Sequence, residues 1–258
     1  MQSKIKSFAA LFFGKVIPIL ILAYLVFYSV FYISSLRAKF LSWNSVGPEK
    51  TDTLVYTEEE WELIRMKTYL QARLAMSSAD SIGLTINMKD SMVQLEMKGV
   101  VLRQVQFDKV EMSRFFKGFH PAAYQHHFSK PFTISEIEGS IIKDPVTVRK
   151  VPKDTIEASQ TKMEIDTARI DFVEWHLLLD SAIVVSIIQS DEYVGNIPLP
   201  VFKYRIRRHV QTLLSTNRDV LRFRKPVIYP EITVFIPSNE AKSFFRALPP
   251  RGQVVLKL

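Results

Sequence analysis

Hydrophobic positions dominate the start of the chain in one unbroken run. From Val16 to Leu36 the sequence VIPILILAYLVFYSVFYISSL carries no charge over twenty-one residues. At about 1.5 Å of rise per residue, a helix of that length crosses the roughly 30 Å hydrocarbon layer of a bilayer. A secretory signal has a shorter apolar region and a small-residue cleavage site, and the exit Ser34-Ser35-Leu36-Arg37 offers none. The pattern predicts an uncleaved membrane helix. Pro18 falls in its first turn, where a missing N–H costs least. Tyr24, Tyr28 and Tyr32 recur at every fourth position, and the hydroxyls of the first two, deep in the run, call for a partner helix.

Apolar and polar residues then mix from Phe40 to Tyr56 around Asn44, Gly47, Pro48 and Asp52, as in a linker. Thr57 followed by Glu60 makes a capping box for a helix reaching about Ser78, with Trp61, Ile64, Leu70 and Leu74 as its expected buried stripe. After Asp80 the period changes to two. Leu84 to Met88, Val93 to Met97 and Val100 to Phe107 read as a β-meander. Asp108 to His127 is irregular, compatible with short helices at Arg114-Phe115-Phe116 and Tyr124. Phe132 to Val151 reads as two strands, and Lys153 to Lys162 as an exposed loop. Thr167 to Leu179 and Ala182 to Gln189 form the most apolar hairpin, expected at the sheet centre. A helix over Tyr204 to Val220, a strand over Val227 to Ile236, a helix from Ser238 (its expected N-cap) to Leu248 and a strand over Val254 to Leu258 complete the pattern. The chain thus divides into a tail (1–15), a membrane helix (16–36), a linker (37–56) and a globular domain (57–258). The fold class is α+β: a β-rich domain with short helices behind a transmembrane helix, with no doubly wound sheet.

Charge sharpens this picture. The 34 Lys and Arg exceed the 26 Asp and Glu by eight, but residues 1–39 hold five basic residues and no acid. Residues 40–202 are net −6, whereas 203–225 are net +7, with Lys203, Arg205, Arg207, Arg208, Arg218, Arg222, Arg224 and Lys225 against Asp219 alone. The basicity is therefore one patch, which removes the global argument for nucleic-acid binding. It suits either an anionic envelope surface, such as lipid head groups or peptidoglycan, or a solvated helix face paired with the acidic remainder. Lys4, Lys6, Lys15 and the terminal amine precede the apolar run, and only Arg37 and Lys39 follow it closely. The N-terminus is thus expected in the cytoplasm, with the domain outside it, in a bacterium the periplasmic side of the inner membrane.

Candidate chemistry is sparse. Cysteine is absent, which excludes disulfides, thiolate zinc sites and cysteine nucleophiles. The eight glycines never form G-x-G, so no phosphate loop and no cofactor is expected. His120, His126 and His127, with Asp108 or Glu111, offer either a metal site of unusual spacing or a loop of surface histidines. Ser186 with His176 or His209 suggests either a hydrolase pair or a core serine, since no nucleophile-elbow glycines surround it.

Three separated pieces resemble the L,D-transpeptidase catalytic domain, which cross-links peptidoglycan. They are Leu84 to Arg103, similar to that family's opening hairpin; Glu174 to Val185, similar to its central hairpin; and Pro237 to Pro249 with Gly252 to Leu256, similar to its last helix and strand. The family's Ser-His-Gly-Cys motif has no counterpart: the corresponding region reads Ile228-Tyr-Pro-Glu-Ile-Thr-Val-Phe-Ile236, and no histidine follows His209. The resemblance therefore implies a non-catalytic relative. The expectation is a single-pass envelope protein held in the membrane by residues 16–36, acting by binding peptidoglycan or another envelope protein through the 203–225 patch. A structural subunit of a membrane complex, and a cell-wall-modifying enzyme with an atypical site, stand as alternatives.

Overall fold

The structure, a computed structural model, describes residues 16–45, 56–141, 143, 172–191 and 199–258; within the helix over 199–221, several side chains before Leu214 also lie outside the description. The tail (1–15), most of the expected linker, the second strand expected after Gly139, the loop over 153–162 and the first residues of the expected central hairpin fall outside it.

The first helix, α1 (Ile17–Asn44), starts where the apolar run does but continues eight residues past its expected end. Arg37 and Lys39 end the apolar run without ending the helix, because the turns that follow have somewhere to pack: Phe40 and Trp43 join the core of the domain. The linker expected from residue 37 is thus helical to Asn44.

Helix α2 (Glu58–Ser77) begins at the capping box: the Glu60 N–H donates to the Thr57 hydroxyl, and the Thr57 N–H to the Glu60 carboxylate at 2.8 Å. Its buried face follows the expected stripe in the first turns, where Trp61 packs on the core and Ile64 is half-buried, and leaves it in the later ones. Thr68, Tyr69, Ala72 and Met76 are buried, whereas Leu70 and Leu74 are exposed, Leu74 by 73%. The small Ala72 lets the helix close onto the next layer, where Tyr69, Ala72 and Met76 meet Val255. That packing overrides the apolar count.

Nine strands follow among the described residues: β1 (Gly83–Asn87), β2 (Met92–Met97), β3 (Val100–Gln106), β4 (Lys109–Met112), β5 (Phe132–Gly139), β6 (Glu174–Leu179), β7 (Val184–Gln189), β8 (Glu231–Ile236) and β9 (Gln253–Lys257). Their order is β3-β2-β1-β9-β5-β6-β7-β8-β4, antiparallel except for β1 with β9 and β7 with β8. Strand β4, in the stretch read as irregular, pairs with β8. Between the strands lie a 3-10 turn (Arg114–Phe116), α3 (Pro121–Phe128), α4 (Leu199–Leu221) and α5 (Ser238–Ala247). Ser238 does not cap α5: Pro237 holds the N-cap position, and the Ser238 N–H donates to Asp191 at 2.7 Å.

The sheet is rolled. Strands β3 and β4 stand at opposite ends of the order, yet only Phe107 and Asp108 separate them. Eight strand spacings of about 4.8 Å would hold the edges of a flat sheet roughly 38 Å apart, while that link reaches about 10 Å. The two edges must therefore approach each other. Strand β5 makes another corner: Phe132 and Thr133 pair with β9, then a bulge near Ile134 and Glu136 turns the strand onto β6. Inward side chains of both halves, including Ile86, Leu95, Trp175, Ile187, Val234 and Leu256, form one cluster. Phe244 and Phe245 of α5 and Tyr124 and Phe128 of α3 complete it. Trp175 donates its indole N–H to the Ala241 carbonyl at 3.1 Å.

Candidate functional site

Lys39 and Trp43, one helical turn apart on α1, join it to the domain. The Lys39 ammonium donates to the carbonyls of Ala182 (3.0 Å) and Ile228 (2.8 Å), the first in the β6–β7 turn and the second just before β8. Trp43 is buried, stacked on the His127 ring at 4.1 Å between centroids and flanked by Phe115 and Phe119. His127 Nε2 lies 3.2 Å from the Trp43 carbonyl, a distance that assigns the proton to that nitrogen. Burial lowers the His127 pKa from its ordinary 6.5, and the neighbouring His126 adds to the effect. Asn44 accepts from the His120 N–H at 3.0 Å. The HPAAYQHH stretch is thus helix α3 with its N-cap, and two of its histidines serve the docking of α1. Among the described residues, no group of three His, Asp or Glu side chains is placed to hold a metal.

The other end of α1 stays bare. Only 6% of its most apolar window is buried in the protein, and Ile19, Leu22, Leu25, Val26, Val30 and Ile33 are all exposed. A core helix of a water-soluble protein would be covered; this one presents an apolar surface long enough to span a membrane.

The middle of α1 is crossed by α4. The Tyr24 hydroxyl donates to Asn217 Oδ1 at 2.7 Å, the Tyr28 hydroxyl meets Thr216, and Phe27 packs edge-on against Phe223 at 5.7 Å. The partner helix that the tyrosine hydroxyls called for belongs to the same chain. Helix α4 also carries most of the basic patch. Arg207 and Arg218 on the helix, and Arg222, Arg224 and Lys225 just beyond it, are exposed. Lys203, Arg205 and Arg208 lie on the same helix, with side chains outside the description. Lys225 reaches a cleft of about 480 Å³ at the root of α1, lined by Ser35, Lys39, Asp180, Ser181 and Ile228 among others.

A second constellation lies across β6, β7 and β8. Register sets His176 beside Ser186, and the outward face of the same strands carries Glu174 and Glu231. The Ser186 hydroxyl donates to Glu231 Oε1, so its oxygen accepts from His176 Nδ1 at 2.6 Å. His176 Nε2 faces Glu174 Oε1 at 3.2 Å with one proton between them. The residue types are those of a serine hydrolase, but the proton flow is not: the serine hydroxyl points at a carboxylate while its oxygen receives a proton from the ring. Ser186 is fully buried, on a strand paired on both sides. The network ties three strands together. Sequence reasoning named Ser186 and His176 but missed both glutamates, although alternation in Glu174-Trp-His176 placed the acid and the ring on one face.

No family model matches the chain, and no curated protein or solved structure is significantly similar to it.

Proposed function

We propose that the chain is a single-pass membrane protein whose rolled-sheet domain stands in the cell envelope outside the cytoplasm and works by binding rather than by catalysis. The carrying observation is the continuity of α1: one helix that is bare and apolar toward its N-terminus and built into the domain core by Lys39 and Trp43 at its other end. Such a joint holds the domain at a fixed distance from the membrane. The lysines before the apolar run support the outward orientation. In this reading the Ser186 network is structural, the likeness to L,D-transpeptidases is that of a non-catalytic relative, and the basic segment meets peptidoglycan or another envelope protein.

The test is charge reversal of exposed arginines in the full chain. Arg207→Glu, Arg218→Glu and Arg222→Glu together should weaken co-sedimentation with isolated peptidoglycan or with the native envelope partner at low salt, and added salt should erase the difference. Unchanged co-sedimentation at low salt would remove the patch from the binding reading.

A further inference from the structure

The cleft at the root of α1 lies where that helix leaves its uncharged run. The small side chains of Ser35 and Ala38 form one wall, and the β6–β7 turn with the stretch before β8 forms the other. Lys39, which also lines it, stands three residues, about 4.5 Å of helix, beyond Leu36, the last residue of the run. A bilayer carries about 5–7 Å of polar layer on each side of its roughly 30 Å core, so the cleft opens at the level of lipid head groups. Its volume of about 480 Å³ falls within the roughly 300–1,000 Å³ of small-ligand pockets.

Opposite charges face this cleft without meeting. Lys225 and Asp180 both line it and both are exposed, and among the described residues neither belongs to an ion pair. Asp180 accepts from the Thr133 N–H at 3.2 Å and from the Ser181 hydroxyl at 3.3 Å, which leaves a lone pair on each carboxylate oxygen. Lys39 donates to the Ala182 and Ile228 carbonyls, and one of its three N–H groups remains. Of the basic segment only Lys225 lines the cleft among the described residues; Arg207, Arg218 and Arg222 do not. Ala38, Pro226 and Val227 add apolar lining between the charges. A ligand that complements these walls is anionic at one point, carries N–H donors on a cation at another, and joins the two by carbon.

We infer that the cleft holds the head group of an amine-bearing phospholipid, with its phosphate on Lys225 and the remaining N–H of Lys39 and its primary ammonium on Asp180. This rests on the membrane-anchored reading and adds a lipid to it, leaving the partner of the arginines as proposed. Bound there, the lipid spans α1 and the two segments that Lys39 already holds, and so fastens the joint between anchor and domain. A choline head group has no N–H for Asp180, and a glycerol head group has no cation for it.

The full chain is reconstituted in vesicles of phosphatidylethanolamine, phosphatidylcholine and phosphatidylglycerol in equal parts with the same acyl chains, then released into mild detergent. Lipids retained on the intact chain are identified by native mass spectrometry. Phosphatidylethanolamine should be retained about fivefold over each of the others, as for one charge-assisted hydrogen bond at a partly exposed site. Asp180→Asn, which keeps an acceptor for the Thr133 N–H, should remove the preference over phosphatidylcholine, and Lys225→Glu should lower retention of all three lipids. Both substitutions fall on exposed side chains and should leave the circular dichroism spectrum unchanged. Equal retention of the three lipids, a preference for either of the others, or a preference that both variants leave intact would overturn the inference while the anchor stands. Displacement of the lipid by equimolar glycerophosphoethanolamine would assign the cleft to a soluble ligand and overturn it as well. A chain that never enters the vesicles would sink the anchored reading and the inference together.

Discussion

Replacing Trp43 with alanine tests the joint between helix and domain. The indole is buried among Phe115, Phe119, His127 and Phe128, at the last turn of α1. A tryptophan buries about 200 Å², worth about 5 kcal/mol at 25 cal/mol/Å² against an extended chain. A compact unfolded state and the methyl group that remains reduce this to about 3 kcal/mol, at the low end of measured Trp→Ala losses. For a domain of roughly 200 residues, each kcal/mol moves the midpoint by about 2–4 °C, so a drop of about 6–12 °C is expected. The assay is thermal unfolding of the full chain in mild detergent by far-ultraviolet circular dichroism. Leu41→Ala, exposed on the same stretch of α1, is the control for helix propensity and should move the midpoint little. Equal midpoints for Trp43→Ala and the parent would refute the seated anchor.

Three further outcomes follow from the same contacts. His127 has a lowered pKa because burial beside Trp43 disfavours the charged ring; the unfolded state therefore binds more protons, and the contribution is complete above about pH 6.5 and lost as pH falls through the folded value. The urea midpoint should fall from pH 7.5 to pH 5 more in the parent than in His127→Gln, and parallel profiles would contradict the assignment. Ser186→Ala removes the hydroxyl that His176 Nδ1 and Glu231 share and should cost about 1–3 kcal/mol in urea unfolding; an unchanged midpoint accompanied by loss of a hydrolytic activity would make the network catalytic instead. Gly139→Ala places a Cβ 2.8 Å from Phe245 Cζ and 3.3 Å from Trp175 Cβ, and overpacking of about 1–3 kcal/mol is expected, so a neutral substitution would show that the corner of the sheet yields.

What was legible in the sequence was what is local. The capping box at Thr57 and Glu60 needs only four residues, and the β-meander is carried by alternation and its turns. Contacts between distant segments were not legible. Lys39 looked like the flank of a membrane span because its acceptors, Ala182 and Ile228, lie 143 and 189 residues away. Strand β4 is four residues with two charges, and only its pairing with β8 makes it a strand. The stripe of α2 was right at Trp61 and Ile64 but misplaced in its second half, because counting apolar residues favours Leu70 and Leu74, whereas close packing on β9 favours Ala72. The tyrosine hydroxyls announced a partner helix but could not say that it was α4. Ser186 and His176 were visible as residue types; only cross-strand register and burial joined them to each other and to Glu174 and Glu231.

The central claim is that the apolar helix is retained as an integral span of a protein that holds its domain at the membrane. Alkaline carbonate extraction of membranes bearing the full chain, with the intact mass measured on the fraction recovered, tests it directly. The account predicts a chain of the full 29.8 kDa in the membrane pellet. Release into the supernatant, or a product shortened by its first forty residues, would contradict it.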